Sequence, residues 1–576
     1  MRRTLLRLLV PALVAGLAIT ATLAPAAADG PINWPQWGQN PQHQGFVDVA
    51  GQNLNKILAD LVYDPNVPAE MASTGGDLLA HYQAPLLHEN DVFMEFKGGT
   101  FTDADHWNTQ TWSERRYHWE DGQLVEKWSH LTSWKPEPNG PGNGQSSKQD
   151  RLGLGGWEPV FHAVLANGSV YVPDADGTIT KLAMGDGSVV SQIDPGYPAR
   201  ANTTTFVAGP LSADSAGNVY FNAIQLDNTH PWGDDYVTDI ADSWLVKVTP
   251  ADTAQKVSYR SLVSGAPTTC TTTYNATTNT PWPPAGGAPA PPGPCGSQRV
   301  GLNVAPAIAP DGTIYTVSRA HFRSRYAYVL AVNSDLTPKW QASLRGHLAD
   351  GCGVLLPVDG GVDPGIGCSQ NASQYPTGID PATGELPAGR VIDQSSSSPT
   401  VAPDGSVIYG AYSRYNFARG HLFKFSSSRA FQGTFDFGWD STPAVFQHNG
   451  SYSIVIKDNH YNANCCPGAA APPPGPYFIT QLSAALGIQW QFESPSRGPD
   501  NPNGFEWCIN APAIDRDGVV YNNSEDGFVY AINQGGTLKQ RMFLKEAVGA
   551  AYTPLALAAD GKLYTENDGE LFVIGN

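Results

Sequence analysis

Eight times along this chain a proline leads into a short apolar run, a tight polar turn and a second apolar run that often ends in tyrosine. The copies begin at Pro85 (PLLHENDVFM), Pro159 (PVFHAVLANGSVY), Pro210 (PLSADSAGNVY), Pro306 (PAIAPDGTIYTV), Pro399 (PTVAPDGSVIY), Pro443 (PAVFQHNGSYSIVI), Pro512 (PAIDRDGVVY) and Pro554 (PLALAADGKLY). Two apolar runs around Asp-Gly or Asn-Gly predict a β-hairpin, because those residues accept the backbone a two-residue connection needs. A third run often follows, as in YVLAVN, HLFKFS and FVYAIN, then a fourth that carries tryptophan, as in VEKWSHL, PKWQASL and IQWQFES. Four strands per unit make a propeller blade, and the closest copies, 42 and 44 residues apart, are near the shortest such a blade allows. The reading is therefore an all-β chain forming an eight-bladed β-propeller with four-stranded blades. The last copy ends near Val573 without a fourth strand, whereas KILADLVYDP stands alone near the start. The amino-terminal strand is expected to close the last blade and cover its edge.

Residues 1–28 are set aside as an export signal. Arg2, Arg3 and Arg7 precede an apolar stretch from Leu8 to Leu23, and Ala26-Ala27-Ala28 supplies a cleavage site before Asp29. The stretch is too short and too Ala-rich for a comfortable membrane span. Residues 29–576 then form a single propeller domain. Removing the three arginines takes the net charge from −19 to −22, a balance that excludes nucleic acid and anionic membrane surfaces as partners. The expected location is extracellular, or periplasmic where an outer membrane is present, and the expected state is monomeric.

The seven cysteines of an exported chain point to disulfides. Cys270 and Cys295 bracket a Pro-rich insertion at about 265–300, and Cys352 and Cys368 lie in a Gly-rich one at about 345–395. Both pairs read as loop staples. Cys465, Cys466 and Cys508 are left, with Cys508 expected near one of the other two. No zinc spacing or haem signature occurs, and DADG at Asp174 reads as a turn rather than a calcium loop because no ligand series continues from it.

The opening WPQWGQNPQHQGF, the Pro…Asp-Gly…Tyr hairpins and the tryptophan-bearing fourth strands together resemble the PQQ-like β-propeller superfamily. That resemblance covers nearly all of residues 29–576. It implies the fold, and it brings in quinoprotein dehydrogenases and the BamB scaffold as functional precedents. A dehydrogenase reading would imply PQQ with calcium. Cys465-Cys466 matches the vicinal disulfide of those enzymes in type, but it falls between strands two and three rather than before an innermost strand. The family's calcium-binding Glu, Asn and Asp cannot be assigned here. No cofactor and no metal is therefore predicted, with PQQ and calcium as the alternative.

In a propeller, turns joining strands one to two and three to four share one face, and the remaining connections share the other. The first class is short here (NG, DG, SDLTP, NQGG), and the surplus length lies in the second, as in QLDNTHPWGDDYVTDIADSW. Long connections gathered on one side predict a binding face. Trp107, Trp112, Trp157 and Trp232 on or near those loops are candidate sugar-stacking platforms, with loop packing as the competing role. Arg319, Arg414 and Lys457 follow the second strand of three consecutive blades, and Lys97 holds the same place in the first. They are candidate cations for an anionic ligand, unless Asp103, Asp105, Asp234 or Asp235 neutralises them. His321, Tyr415, His460 and Tyr461 beside them are candidate proton-transfer groups for β-elimination from a uronate. Glu158 and Glu506, at the entry to innermost strands, are candidate carboxylates for glycoside hydrolysis. His162 reads as an interior histidine. The function expected is binding of, and action on, an extracellular polymer, first an anionic polysaccharide, by a lyase or glycoside hydrolase rather than a quinoprotein oxidoreductase. A non-catalytic scaffold of BamB type is the alternative.

Overall fold

The computed structural model describes residues 34–74, 76, 82–102, 109–136, 160–227, 240–271, 292–347, 389–393, 395–412, 420–438, 440–460, 475–545 and 553–576. Residues 32–576 form one compact unit, and it is an eight-bladed propeller. The eight hairpin repeats open the eight blades, whose innermost strands are Leu86–His88, Val164–Ala166, Ser212–Ala213, Ala307–Ile308, Thr400–Val401, Ala444–His448, Ala513–Ile514 and Ala556–Leu557. Each is followed outward by three antiparallel partners. In the sixth blade these are Ser451–Asn459, Tyr477–Ser483 and Ile488–Glu493.

The last blade is completed as the sequence predicts. Lys56–Val62 pairs antiparallel with Glu570–Gly575, so the two ends of the chain share one sheet. In blades three and four the inner edge is lengthened. Thr203–Val207 and Gln298–Val300, from the preceding links, also pair with the second strand and place Arg299 opposite Arg319.

Adjacent sheets pack face to face, and the alternation along each strand supplies both faces with apolar side chains. Val92 and Met94 turn one way, into a cluster with Tyr564 and Leu571 of the last blade. Phe93 turns the other way, toward Val164 and Tyr171 of the second blade. The fourth-strand tryptophans lock neighbouring blades. Trp128 donates from Nε1 to the Met184 carbonyl and lies over Gly187, where a Cβ would meet the indole at 2.6 Å. Trp340 donates to the Ser427 carbonyl of the next blade.

Strand bounds bear out the asymmetry of the connections. First-to-second turns are short (His88 to Asp91), as are third-to-fourth turns (Glu120 to Gln123). The intervals from Asp227 to Ile240, Asn459 to Tyr477 and Ser343 to Thr400 are long, and the strand ends that bound them lie on the opposite face.

The axis is not an open channel. Residues 34–52 wind across the turn-side ends of the innermost strands, and Trp37 enters the axis itself. Its indole is fully buried with Ala305 and Ala511, at the entries to blades four and seven. It donates to Thr442 Oγ1 at 2.9 Å and meets His162 edge-on at 5.6 Å.

Candidate functional site

On the insertion-rich face the second strands end in polar residues, and the predicted cations are found there. Lys97, Arg319 and Lys457 lie near the ends of Asp91–Gly99, Ile314–Ala320 and Ser451–Asn459. They are not free charges at a mouth. Lys97 Nζ stands 3.0 Å from Asp64 and 2.8 Å from Glu70. Arg319 is 1 % exposed and reaches Asp393 at 2.8 Å, while Lys457 is 0 % exposed and lies 3.3 Å from Asp440. Asp393 also takes two contacts from Arg299. Burial alone would raise the Asp393 carboxyl, but Arg299 and Arg319 outweigh it and hold the group well below the usual carboxylate range.

These ion pairs correct the sequence reading of the lip. The neutralising acids are Asp64, Glu70, Asp393 and Asp440, in links that enter the blades, whereas Asp103, Asp105, Asp234 and Asp235 lie outside the described residues. A buried cation already paired with a buried carboxylate offers little attraction to an incoming anion, and separating the pair would leave a charge stranded. Arg414 and Tyr415 also lie outside the described residues.

His321 is a second correction. It is almost fully buried, and its Nδ1 accepts from Arg299 Nε at 2.9 Å, which marks it as a neutral member of the arginine network away from solvent. Trp112 is a third. Only 1 % exposed, it packs edge-on against Trp134 at 5.0 Å, and Trp134 packs on Phe161. Its ring faces are core surface between blades one and two, unavailable to a sugar. Trp107, Trp157, Trp232, Glu158 and Tyr461 lie outside the described residues.

His460 differs from all of these. Its side chain is 21 % exposed, at the end of the second strand of blade six, and its Nε2 lies 2.7 Å from Asp458 Oδ1. Asp458 is buried and held by Thr480 Oγ1 at 3.0 Å and Gln491 Nε2 at 3.2 Å, both donating to Oδ2. A partly exposed imidazole oriented by a buried carboxylate can take up or deliver a proton at solvent-borne substrate. Sequence reading missed Asp458, although it stands in KDNHY two residues from His460. In an extended strand that spacing puts both side chains on one side.

The neighbouring blade supplies carboxylates. Glu506 is partly exposed, and with Glu525 it acts on Tyr477 and Cys508, whose own burial is the larger cause of their raised protonation. Cys508 is buried and outside any disulfide, with its thiol pushed up. That is the character of an inert thiol rather than a nucleophile. Cys465 and Cys466, its expected neighbours, lie outside the described residues. The Cys270–Cys295 bridge is present, with Cα atoms 5.0 Å apart; Cys352 and Cys368 lie outside the described residues.

Two structural expectations hold. His162 is an interior histidine, fully buried and pushed down to about 3 by that burial. Asp174 caps a single turn through Ala175 N at 2.8 Å and binds Thr180 Oγ1 at 2.6 Å.

No protein-family profile and no curated protein matches this sequence. Among solved structures, a europium-containing methanol dehydrogenase superposes with a TM-score of 0.51 at 9% identity, over 93% of this chain and 89% of that one. A quinohemoprotein alcohol dehydrogenase from Comamonas testosteroni gives 0.47 at 11% identity, over 95% and 81%. Another, from Pseudomonas putida HK5, gives 0.49 at 11%, over 95% and 76%. At such identities the likeness is one of fold alone, the propeller shared with the methanol dehydrogenase.

Among the described residues no three His, Cys, Asp or Glu side chains converge as metal ligands. The buried Asp64, Asp393 and Asp440 are instead committed to Lys97, to Arg299 with Arg319, and to Lys457. Among the described residues no helix is long and apolar enough to cross a membrane.

Proposed function

We propose that this protein is an exported propeller that binds a polymeric ligand, first a polysaccharide, on its insertion-rich face and acts on it at the insertion-rich end of blade six. The observation that carries this reading is the His460–Asp458 pair: partly exposed imidazole, buried and doubly anchored carboxylate, at the face where the long connections gather. In it His460 is the proton-transfer group and Asp458 orients it, while Glu506 and Glu525 lie toward the next blade, where they act on Tyr477. Glu506 can serve as the second carboxylate of a hydrolase. The export signal at residues 1–28, the Cys352–Cys368 staple and a monomeric state belong to the same proposal. The Cys270–Cys295 bridge supports it, because disulfides persist in oxidising compartments. Selection of anionic chains by a ring of cations is not carried forward, since Arg319 and Lys457 are neutralised where they stand.

A glycan panel, neutral and uronate-containing, read for binding and for new reducing ends or unsaturated products, tests the proposal. Turnover should fall at least about 100-fold in His460→Gln with binding retained, the size expected of a lost proton-transfer group. Asp458→Asn should give a smaller loss and shift the pH profile of turnover. Absence of binding to every glycan would sink the reading, and unchanged turnover in His460→Gln would remove His460 from it.

A further inference from the structure

The innermost strand of every blade has one edge paired within the sheet and one edge facing the axis. Axis-facing N–H and C=O groups need partners, because water is excluded there. Residues 34–52 supply them in blade order. Trp34 exchanges two backbone bonds with Leu87 of blade one (3.0 and 2.9 Å), and the Pro35 carbonyl accepts from Leu165 of blade two at 2.8 Å. Gln36 Oε1 accepts from Ala213 N of blade three. The carbonyls of Pro41, Gln42, Gln44 and Gly45 accept from Ile308, Val401, Val445 and Ile514, on blades four to seven. Gln52 N then donates to Gly561 of blade eight at 2.7 Å. One short segment makes a full circuit and touches every blade.

Its composition suits that path. Pro35 and Pro41 have no N–H and offer only the carbonyl that is used. Gly38, Gln39, His43 and Gly45 take left-handed backbone, which lets the chain curve so tightly. At Gly45 a side chain would also run into the Pro512 carbonyl. His43 ties blades five and three, through the Pro399 carbonyl and Ser212 Oγ.

We infer that residues 34–52 act as a one-piece clasp that docks only after the ring has closed and thereafter opens only with it. The reason is geometric. Partners at Leu87 and Ile514 are separated by most of the chain and come together only in the closed ring. The clasp runs directly into Lys56–Val62, the strand that performs the closure. A segment that precedes every blade in the chain is fixed last, and once fixed it covers the turn-side end of the axis. This holds whatever ligand the other face takes.

Hydrogen exchange on the full-length protein decides it. In the native state, amides of 34–52 should be protected to within about tenfold of inner-strand peptides such as 84–94 and 513–523, as expected of one cooperative unit. Faster exchange than that would make the segment a lid that opens locally and overturn the inference. In pulse-labelled refolding, the clasp should gain protection no earlier than 570–575; earlier protection would overturn the order of docking. In Trp37→Ala, protection should fall together from 34 to 47, and a loss confined to the neighbours of residue 37 would show that the segment is not one piece. Should that variant fail to fold, the first two measurements need only the unmodified chain.

Discussion

Glu114 is a fully buried carboxyl on the third strand of blade one. Its Oε1 accepts from Gln83 Nε2 at 3.1 Å, and its Oε2 has no partner. Gln83 N also donates to Glu95, the residue paired with Glu114 across the sheet. Burial pushes the Glu114 carboxyl up to about 8, against a smaller opposing effect of Gln83. The sign follows from linkage. With the folded value raised, the stabilising contribution is complete below the ordinary carboxylate range and is lost as pH climbs from about 4.5 through about 8. Above that window the native state carries a penalty of ~3–5 kcal/mol from this group. Glu114→Gln keeps the shape and the acceptor. It should match the parent in thermal unfolding near pH 5 and exceed it clearly at pH 9; equal midpoints at pH 9 would show that Glu114 is not held protonated. None of this was legible in SERRYHW, where Glu114 looks like an ordinary strand charge. What the sequence did expose at this scale was residue type at strand ends: Lys97, Arg319 and Lys457 stand where the repeat puts them. Their acids could not be foreseen, because Asp393 and Asp440 sit at different distances before Pro399 and Pro443.

Among the elements, hairpins were the most readable, since turn chemistry and alternation are local. The tryptophan-bearing strands were readable too, and their docking on the next blade gives the reason for the residue. The stapled insertion shows what spacing can predict. Thr269–Thr271 pairs with Pro292–Pro294, and the Cys270–Cys295 bridge is buried against Ala320 and Tyr326 of blade four. A bridge across a separation of 25 residues should stabilise the fold by about 3 kcal/mol in the chain-entropy view. The double variant Cys270→Ser, Cys295→Ser should therefore unfold at a lower denaturant midpoint. An unchanged midpoint would mean that the insertion is held by its packing alone. Trp112, offered as a sugar platform with loop packing as the competing role, takes the packing role against Trp134.

At the scale of the molecule, closure depends on the two ends meeting in one sheet. A chain lacking residues 1–62 would leave Glu570–Gly575 as an unpaired edge and the inner strands without their clasp. Such an edge recruits other strands. The truncated protein should run as dimers or larger species on size exclusion, whereas a stable monomer with the parent's melting temperature would refute the closing role. The sequence by itself determined the blade count, the strand order within a blade, the closing strand and the face that carries the insertions. All of these follow from periodicity and turn residues, which act between near neighbours. It took the tertiary structure to show that Trp37 enters the axis, that Lys97, Arg319 and Lys457 are neutralised and that His460 alone of the described histidine candidates keeps both solvent and an orienting carboxylate. Those outcomes depend on residues far apart in the chain meeting across a closed ring, and no local pattern encodes which carboxylate will arrive beside which cation.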